Sequence, residues 1–514
     1  MTVPLAPKAD RPPTSSPSLP PWVFHLALPV GFWAIALLLM PIARVFQFDV
    51  DEGQEMVKAS LYNQGYALFT EIWSDHPPLL TFLLAPWLRL WGDSVVAARL
   101  LMLGFATLLV WSFAQLLRRS VGDRYALVGT VMLVLTANFL RLSVSVMIGL
   151  PALAMLLFSL YALVRHHESR RWVWLVVAAL AAGCSLQFKM FTVLLLPLWG
   201  LYLGHSSRSA HFQTSFQASF RVCCWLGIIG GTFLALGQLL GAIALQDFFL
   251  FHVDQDVKSA FVREHSLRDV ALFYLQDLDY GLLMFLGLLY SWRPAGRKRL
   301  PLVGGNPATP PPSSTPKSQR DLNGLPLLWL VWVTLFLVQH KPIWYHHYML
   351  LSLPLTWLAT LGLRTCVERV RQEGWRHLSP AVGAIAFLLI ASPIKLAVLH
   401  LNNQDLLRQS QEHQAVIAQV RADADANPWL FTDIPMYGVY TQRQIPLEIA
   451  TLSRKRIAAQ DFTAELMAEL IEDYDLQQFV IGRFPIVEGF LNDALPGQLQ
   501  KTEHPVARYY RRTR

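Results

Sequence analysis

The chain of 514 residues is too apolar for a soluble protein, because 54% of its residues are hydrophobic and only 15% are charged. The mean hydropathy is +0.36, a value typical of a polytopic α-helical membrane protein. The formal net charge of +8 does not indicate nucleic-acid binding, because the basic residues form short clusters without interleaved aromatic residues. The four cysteines form no CxxC pair, so the sequence indicates neither a zinc site nor a disulfide framework.

Eleven apolar runs are candidates for membrane spans. Residues 1–21 precede them, are rich in proline and serine, and are predicted to be disordered. The first run has no small-residue cleavage site after it, which indicates an uncleaved signal anchor. The stretch 77–92 is short for a span and carries Arg89, so an interfacial or re-entrant helix is predicted there. The eleven runs cover residues 22–43, 94–117, 125–141, 150–164, 172–188, 191–204, 222–245, 270–290, 325–339, 347–363 and 380–398.

The distribution of basic residues predicts the orientation in the membrane. With the N-terminus placed in the cytoplasm, twenty Lys and Arg residues fall in the segments predicted to be inside, against eight in the outer segments ahead of the C-terminal domain. Positive charge is retained on the cytoplasmic side. We therefore expect a multi-pass protein of the plasma (inner) membrane, with the first loop and the C-terminal domain extracytoplasmic.

Residues 22–399 are predicted to form the membrane domain and residues 400–514 a small extracytoplasmic α/β domain. Within the membrane domain, residues 292–321 are basic and rich in proline, which predicts a disordered cytoplasmic linker. Beyond residue 400 no run is long enough to cross a bilayer. A strand, an amphipathic helix and a second strand are predicted there, at residues 427–435, 458–474 and 477–484.

The first outer loop contains an unusual concentration of acidic residues. Asp51 and Glu52 open a predicted helix over residues 51–63 that Gly65 ends. A carboxylate at the membrane surface can act as a general base on an acceptor hydroxyl. The alternative is capping, since Asp49 followed by Glu52 resembles a capping arrangement and acids are favoured at helix N-termini. The acids of the loop are Asp49, Asp51, Glu52, Glu55, Glu71 and Asp75.

Two further features of this loop suggest chemistry. Asp49 and Asp51 form a D-x-D pair with the hard oxygen ligands that divalent cations prefer, although so short a motif often arises by chance. Asp75 and His76 precede Pro77 and Pro78, which cannot continue a helix and so fix the entry of the chain into the membrane. The alternative for Asp75 and His76 is a solvated loop boundary.

A group of basic side chains is predicted on the same side of the membrane. Lys189 follows the fifth apolar run, and His340, Lys341, His346 and His347 precede the tenth. Cations and imidazoles gathered at the outer surface can bind a lipid phosphate through charge-assisted hydrogen bonds. The alternative is that Lys189 snorkels and that the neighbouring aromatic residues anchor the chain at the interface.

The order of these motifs resembles the GT-C glycosyltransferases, in particular the branch of the protein O-mannosyltransferases and the aminoarabinose transferases of lipid A. The resemblance implies that Asp51 is catalytic and that the donor is a sugar on polyprenyl phosphate. The motifs are Asp51-Glu52-Gly53, WSDHPPL from Trp73, AARLL from Ala97, the segment around Lys189, and HYMLLSLP from His347.

The sequence departs from this family at two positions. Some relatives have lysine where this chain has His76, and many have a second acid near the outer end of the fourth span, where this chain reads MIGLPAL from Met147. The second departure leaves acceptor binding and any metal role open.

The resulting hypothesis is an inverting glycosyltransferase that moves a sugar from a polyprenyl-phosphate donor to an extracytoplasmic lipid, glycan or protein acceptor. Asp51 is the predicted base, and Glu52 and Asp75 are predicted to orient or stabilise the groups of the catalytic site. The predicted phosphate-binding residues are Lys189, His346, His347 and His76. No cofactor is predicted to be required, and the sequence leaves open whether a divalent cation binds to Asp49 and Asp51. Two alternatives are a secondary transporter, for which repeated halves and midplane charges are expected, and a non-catalytic lipid-binding relative.

Overall fold

The computed structural model describes residues 19–205, 212–240, 266–292, 317–373, 379–423 and 426–513, and all structural statements concern these residues. The predictions for residues 1–21 and 292–321 fall almost wholly outside them. The helices up to the C-terminal sheet are α1 (Leu28–Leu39), α2 (Asp51–Asn63), α3 (Leu79–Trp91), α4 (Val95–Val121), α5 (Asp123–Val134), α6 (Phe139–Val144), α7 (Gly149–Ser169), α8 (Trp172–Phe188), α9 (Leu196–His205), α10 (Phe212–Leu239), α11 (Ser266–Gln276), α12 (Leu278–Trp292), α13 (Lys317–Gln339), α14 (Tyr348–Glu373) and α15 (Ser379–Ala422).

The membrane domain is a bundle of long apolar helices. Six helices in the described part of the chain are long and apolar enough to cross a bilayer, and the pair α11 and α12, bent by 84°, adds a seventh if it counts as one span. Shorter apolar helices cover Val23–Leu39, Leu79–Trp91, Trp172–Phe188 and Met190–Gly204. The short helix α3 agrees with the interfacial helix predicted at 77–92. These helices account for ten of the eleven predicted runs.

The eleventh run, predicted as one span over residues 125–141, is interrupted. Helix α5 ends at Val134 and α6 begins at Phe139. The bend between α11 and α12 lies beside this break, because the side-chain amide of Asn138 donates to Oε1 of Gln276 at 3.1 Å and the backbone of Ala137 lies near the carboxylate of Asp277. Two interrupted helices therefore meet at one point.

Lys395 of α15 balances the charge at this junction. Its Nζ lies 2.7 Å from Oδ1 of Asp277 and 2.7 Å from Oδ1 of Asp279, and it is 3.8 Å from the centre of the Tyr280 ring. Asp277 and Asp279 are buried. Ionisable groups within a membrane domain are costly unless paired, and this triad ties α15 to the bent helix pair.

Helix α15 is continuous over 44 residues. At a rise of 1.5 Å per residue it is about 66 Å long, roughly twice the hydrocarbon thickness of a bilayer. Its first half is apolar, and its second half turns the buried residues Ser410, His413 and Val416 toward the C-terminal domain. The domain boundary predicted at residue 400 therefore falls inside a helix.

The C-terminal domain contains a four-stranded mixed sheet in the order β1-β2-β4-β3. The first two strands are parallel, and β4 is antiparallel to both β2 and β3. The predicted strands and helix contain β1, β2 and α18, whereas β3 and β4 lack a clear apolar alternation and were not predicted. The elements are β1 (Phe431–Thr432), α16 (Met436–Thr441), α17 (Arg454–Ala458), α18 (Ala464–Asp473), β2 (Gln478–Ile481), α19 (Pro485–Ala494), β3 (Leu499–Glu503) and β4 (Arg508–Arg512).

The C-terminal domain packs directly on α2. A Cβ atom added at Gly53 would lie 2.4 Å from the backbone nitrogen of Met436, a distance that leaves room only for glycine. Near the start of the first loop, the Phe46 ring stacks on His413 with ring centres 4.0 Å apart. The backbone N–H of Trp73 donates to the carbonyl of Leu447 at 3.3 Å. The first outer loop is thus enclosed between the two domains.

Substitution of Gly53 by alanine should weaken this contact. The added methyl group meets backbone rather than a movable side chain, so we expect a loss of about 1 to 3 kcal/mol in the free energy of unfolding, as is usual for overpacking. Thermal unfolding in detergent measures it. The matched control is Gly104→Ala, since an added Cβ at Gly104 meets nothing within 4 Å. Equal melting temperatures for both variants would show that the domains can separate at this point without cost.

Candidate active site

Asp51 is the first residue of α2, whose bounds, Asp51–Asn63, agree with the prediction. The carboxylate of Asp49 accepts a hydrogen bond from the backbone N–H of Asp51 at 2.8 Å, and the Asp49 carbonyl accepts from Glu52 N–H at 3.3 Å. The predicted capping arrangement is not formed, because Val50 is the N-cap residue and no side chain caps the helix; the Asp49 side chain instead closes a tight turn just ahead of it. Asp51 itself is half-buried, and its carboxylate is not the cap.

Glu52 forms a fully buried ion pair with Arg99 of α4. The Glu52 Oε2 lies 2.8 Å from Arg99 Nη2, and Oε1 lies 3.2 Å from Nε. The two carboxylate oxygens also accept hydrogen bonds from the backbone N–H groups of Phe48 at 2.7 Å and Val146 at 3.0 Å. Both oxygens are fully used, so Glu52 orients the loop and does not reach a substrate.

Arg99 extends this network into the segment between α1 and α2. Its Nη1 donates to the carbonyls of Ile42 at 2.6 Å and Val45 at 2.9 Å, and its Nη2 donates to Phe46 at 3.3 Å. The planar guanidinium can serve a carboxylate and several carbonyls together. The chain that leads into Asp51 is held from one side by this single residue.

Asp49 lies between two residues from distant parts of the chain. The Tyr345 hydroxyl donates to its carboxylate, and the charge of Arg141 acts on it. Arg141 also donates its Nε to the Phe48 carbonyl at 2.9 Å. Burial, followed by the neighbouring Asp51 carboxylate, raises the pKa of Asp49 to about 7. Asp49 and Asp51 thus differ in environment although they are two residues apart.

Asp75 and His76 form a hydrogen-bonded pair at the entry to α3. The Nδ1 of His76 contacts Oδ1 of Asp75, and Asp75 is buried. Helix α3 begins at Leu79, directly after the two prolines. The preceding Trp73 lies under the guanidinium of Arg456, 4.1 Å from its ring centre. The pair is therefore fixed on both sides, unlike a solvated loop boundary.

Lys189 occupies the break between α8 and the following 3₁₀ turn. Its Nζ lies 3.1 Å from Nε2 of His346, a contact that is favourable when the imidazole is neutral and accepts a hydrogen bond from the ammonium group. Burial lowers the pKa of Lys189 to about 8. The adjacent His347 accepts the backbone N–H of Trp344 at Nδ1 with a distance of 3.3 Å, which leaves its Nε2–H as a donor.

The structure brings the predicted site residues together. The carboxylates whose charges act on Lys189 are Asp51, Asp75 and Glu55, and His346 lies in the electrostatic range of His76 and Lys189. These side chains come from four separate segments of the membrane domain. The predicted base and the predicted phosphate-binding residues therefore lie in one region of the structure.

The C-terminal domain adds basic residues that the sequence did not point to. The charge of Lys455 acts on Lys189, His346 and His347. The charge of Asp51 acts on Arg483. The sequence shows that Lys455 and Arg483 are basic, but it does not indicate that they lie near Asp51, because they are hundreds of residues away from it.

The described residues contain no group of three or more His, Cys, Asp or Glu side chains arranged to bind a metal ion. The pair Asp49 and Asp51 thus has no third such ligand in this part of the chain. A cavity of about 210 Å³ lies along the far half of α2, between Ser60, Gln64, Asp93 and Gln444. It does not include Asp51, so the cavity is separate from the site described above.

Replacement of Glu52 by glutamine should destabilise the protein. The variant keeps the size of the side chain but leaves the buried Arg99 without its counterion, which costs roughly 3 to 5 kcal/mol. Thermal unfolding in detergent is the measurement, and Glu168→Gln, which loses only exposed ion pairs to Arg119 and Arg165, is the control. A stable Glu52→Gln protein would contradict the structural role of this carboxylate.

Comparison with known protein families gives a match over part of the chain. Residues 75–226 match the sequence profile of the family described as dolichyl-phosphate-mannose-protein mannosyltransferase. No curated protein sequence matches the chain significantly.

Solved structures of two membrane transferases have a similar fold. ArnT from Cupriavidus metallidurans bound to undecaprenyl phosphate is 12% identical, with a TM-score of 0.62 over 94% of this chain and 97% of that chain. The structure of the same protein in the apo state is 13% identical, with a TM-score of 0.60 over 94% of this chain and 97% of that chain. The archaeal oligosaccharyltransferase AglB from Archaeoglobus fulgidus, in complex with an inhibitory peptide and a dolichol-phosphate, is 11% identical, with a TM-score of 0.52 over 89% of this chain and 69% of that chain. The resemblance predicted from the sequence is therefore confirmed: the chain has the fold of the GT-C glycosyltransferases, and its residues 75–226 match a mannosyltransferase family of that superfamily.

Proposed function

We propose that the protein is an inverting glycosyltransferase that moves a sugar from a polyprenyl-phosphate donor to an acceptor hydroxyl on the extracytoplasmic side of the membrane. The observation that carries the proposal is the position of Asp51 within the electrostatic range of Lys189. A proton acceptor and a phosphate-binding cation stand side by side where the first outer loop meets the bundle.

The reaction assigns one task to each group. Asp51 takes the proton of the acceptor hydroxyl, and the acceptor oxygen forms a bond to the anomeric carbon of the sugar. The bond between that carbon and the phosphate oxygen breaks, and its electron pair leaves with polyprenyl phosphate. Lys189, together with N–H donors of His346 and His347, stabilises the charge that develops on the leaving phosphate. Attack opposite to the leaving group inverts the anomeric centre.

The charges around the site suit an anionic lipid. Several are already paired inside the protein, as Glu52 with Arg99, Glu55 with Lys58, and Arg456 with Asp461. The other charged groups include the carboxylates Asp49, Asp51 and Asp75 and the cations Lys189, Arg141, Lys455 and Arg483. Two of these cations, Lys189 and Lys455, act on His346 and His347. Positive charge beside these two imidazoles favours an anionic ligand such as a lipid phosphate.

The placement of the site also supports a lipid-linked donor. Lys189 directly follows the apolar helix α8, at the level where the phosphate of a polyprenyl lipid is expected when its chain is in the bilayer. The relatives of known structure were solved with undecaprenyl phosphate or dolichol-phosphate. We propose the orientation given by the basic residues, with the N-terminus cytoplasmic and the plasma membrane as location.

A non-catalytic lipid-binding protein is the second candidate. It is favoured by Met147, which stands where many relatives have a second acid and is buried. Its Sδ lies 3.6 Å from the hydroxyl of Tyr345, the residue that bonds Asp49. The same fold could therefore bind the donor without turnover, and a transfer assay separates the two functions.

Asp51→Asn should abolish most of the turnover while the protein stays folded. The amide keeps the size of the side chain but cannot accept the proton, so the rate should fall by about two to four orders of magnitude. The assay measures release of undecaprenyl phosphate from a panel of undecaprenyl-phosphate hexoses and pentoses in nanodiscs. Asp405→Asn, at an exposed position of α15, is the control. Wild-type protein without turnover on the panel would favour the lipid-binding candidate, and an active Asn variant would reassign the base.

Lys189→Ala should weaken the binding of undecaprenyl phosphate by about 10- to 150-fold, since loss of a charge-assisted hydrogen bond costs roughly 1.5 to 3 kcal/mol. Asp51→Asn should leave this affinity nearly unchanged. Binding by the wild type should also weaken above about pH 8, where Lys189, whose pKa is lowered to about 8 by burial, loses its proton before the ligand binds. Titration in nanodiscs at pH 7 and pH 9.5 measures both effects. Equal affinity of the wild type and Lys189→Ala would mean that this lysine only snorkels at the interface.

A further inference from the structure

The segment that carries Arg483 is fixed by one buried carboxylate. Strands β1 and β2 are parallel, so the residues after them meet at the same edge of the sheet. Asp433, which follows β1, accepts hydrogen bonds from the backbone N–H groups of Gly482 at 2.9 Å, Arg483 at 2.8 Å and Phe484 at 2.6 Å. Three bonds to a single buried side chain leave this segment little freedom.

The same edge of the sheet faces the start of α2. Pro435 and Met436 contact the backbone at Gly53. The Arg483 Nη1 donates to the carbonyl of Leu452 at 3.4 Å, and the same carbonyl accepts from Nε2 of Gln54 at 3.2 Å. Gln54 is three residues after Asp51 and so lies on the same face of the helix. The guanidinium of Arg483 is therefore on the side of α2 that carries Asp51.

The charge of Asp51 acts on two cations of different origin, Lys189 from the membrane domain and Arg483 from the C-terminal domain, and it is the strongest opposite charge on each of them. Among the described residues Asp51 forms no direct ion pair with either cation, so both act on its carboxylate at longer range. A carboxylate with only one cation nearby would turn toward it. In this site that cation is Lys189, and an Asp51 bonded to Lys189 would compete with the donor phosphate.

We propose that Arg483 is a positioning residue that holds the Asp51 carboxylate away from Lys189, so that Lys189 stays available to the phosphate of the donor. The proposal rests on the proposed function, because it assumes that Lys189 binds that phosphate. It makes the C-terminal domain a part of the active site and assigns it a task that is separate from acceptor binding.

A double-mutant cycle on ligand binding tests this proposal. The probe is undecaprenyl phosphate in nanodiscs, and the variants are Arg483→Gln, Arg483→Lys and Arg483→Gln combined with Asp51→Asn. Arg483→Gln should weaken binding about tenfold, because the released carboxylate competes for Lys189. Arg483→Lys should bind nearly as the wild type does. The double variant should recover affinity to within about twofold of the wild type, because an amide does not compete. Lys501→Gln, on an exposed edge of the sheet, is the control and should change nothing.

The cycle separates the alternatives. If Arg483 bound the phosphate itself or only supported the fold, the double variant would bind as weakly as Arg483→Gln. That result, or unchanged binding by Arg483→Gln, would overturn the proposal while leaving the proposed function in place. Wild-type protein that does not bind undecaprenyl phosphate at all would refute the function and the inference together. Melting temperatures of all variants, measured in the same nanodiscs, identify any loss caused by unfolding.

Discussion

The buried ion pair between Glu52 and Arg99 is the interaction on which the rest of the site depends. Two charges without access to water are costly, and they persist here because each oxygen of Glu52 and each nitrogen of Arg99 has a partner. The partners are backbone groups of the segment before Asp51 and of Val146, which lies between α6 and α7. The pair therefore makes the loop between α1 and α2 rigid, and this rigidity fixes the position of the neighbouring Asp51.

The C-terminal domain also stabilises this loop and the start of α2. It presses on Gly53 without an intervening side chain, and it covers the Trp73 loop with Arg456. Its sheet edge directs Arg483 to the face of α2 that carries Asp51. Lys189, His346 and His347 belong to the membrane domain, whereas Lys455 and Arg483 belong to the C-terminal domain. The charged side chains around Asp51 therefore come from both domains.

Local patterns predicted the parts of this protein that local physics determines. The limits of α2 followed from acids at its start and Gly65 after its end, and α3 followed from two prolines and a short apolar run. The break at residues 135–138 was not predictable, because the bent helix pair that packs beside it is far along the chain. For the same reason the sequence around Glu52 did not indicate its pairing with Arg99, and the sequence around Arg483 did not indicate its proximity to Asp51. Strand β3 was missed because it is mostly exposed, and β4 because its two buried tyrosines are adjacent and flanked by arginines rather than alternating with polar residues.

The stacking of Phe46 on His413 has a consequence for the biogenesis of the protein. Phe46 N–H also donates to the hydroxyl of Ser410 at 2.7 Å, a contact across 364 residues. The loop that contains Phe46 leaves the ribosome early, but Ser410 is synthesised 364 residues later. Until then the aromatic and acidic side chains of this loop lack their final environment. The segment around Asp51 therefore acquires its final geometry only after α15 has been made, and nascent intermediates carry the first apolar helices without it.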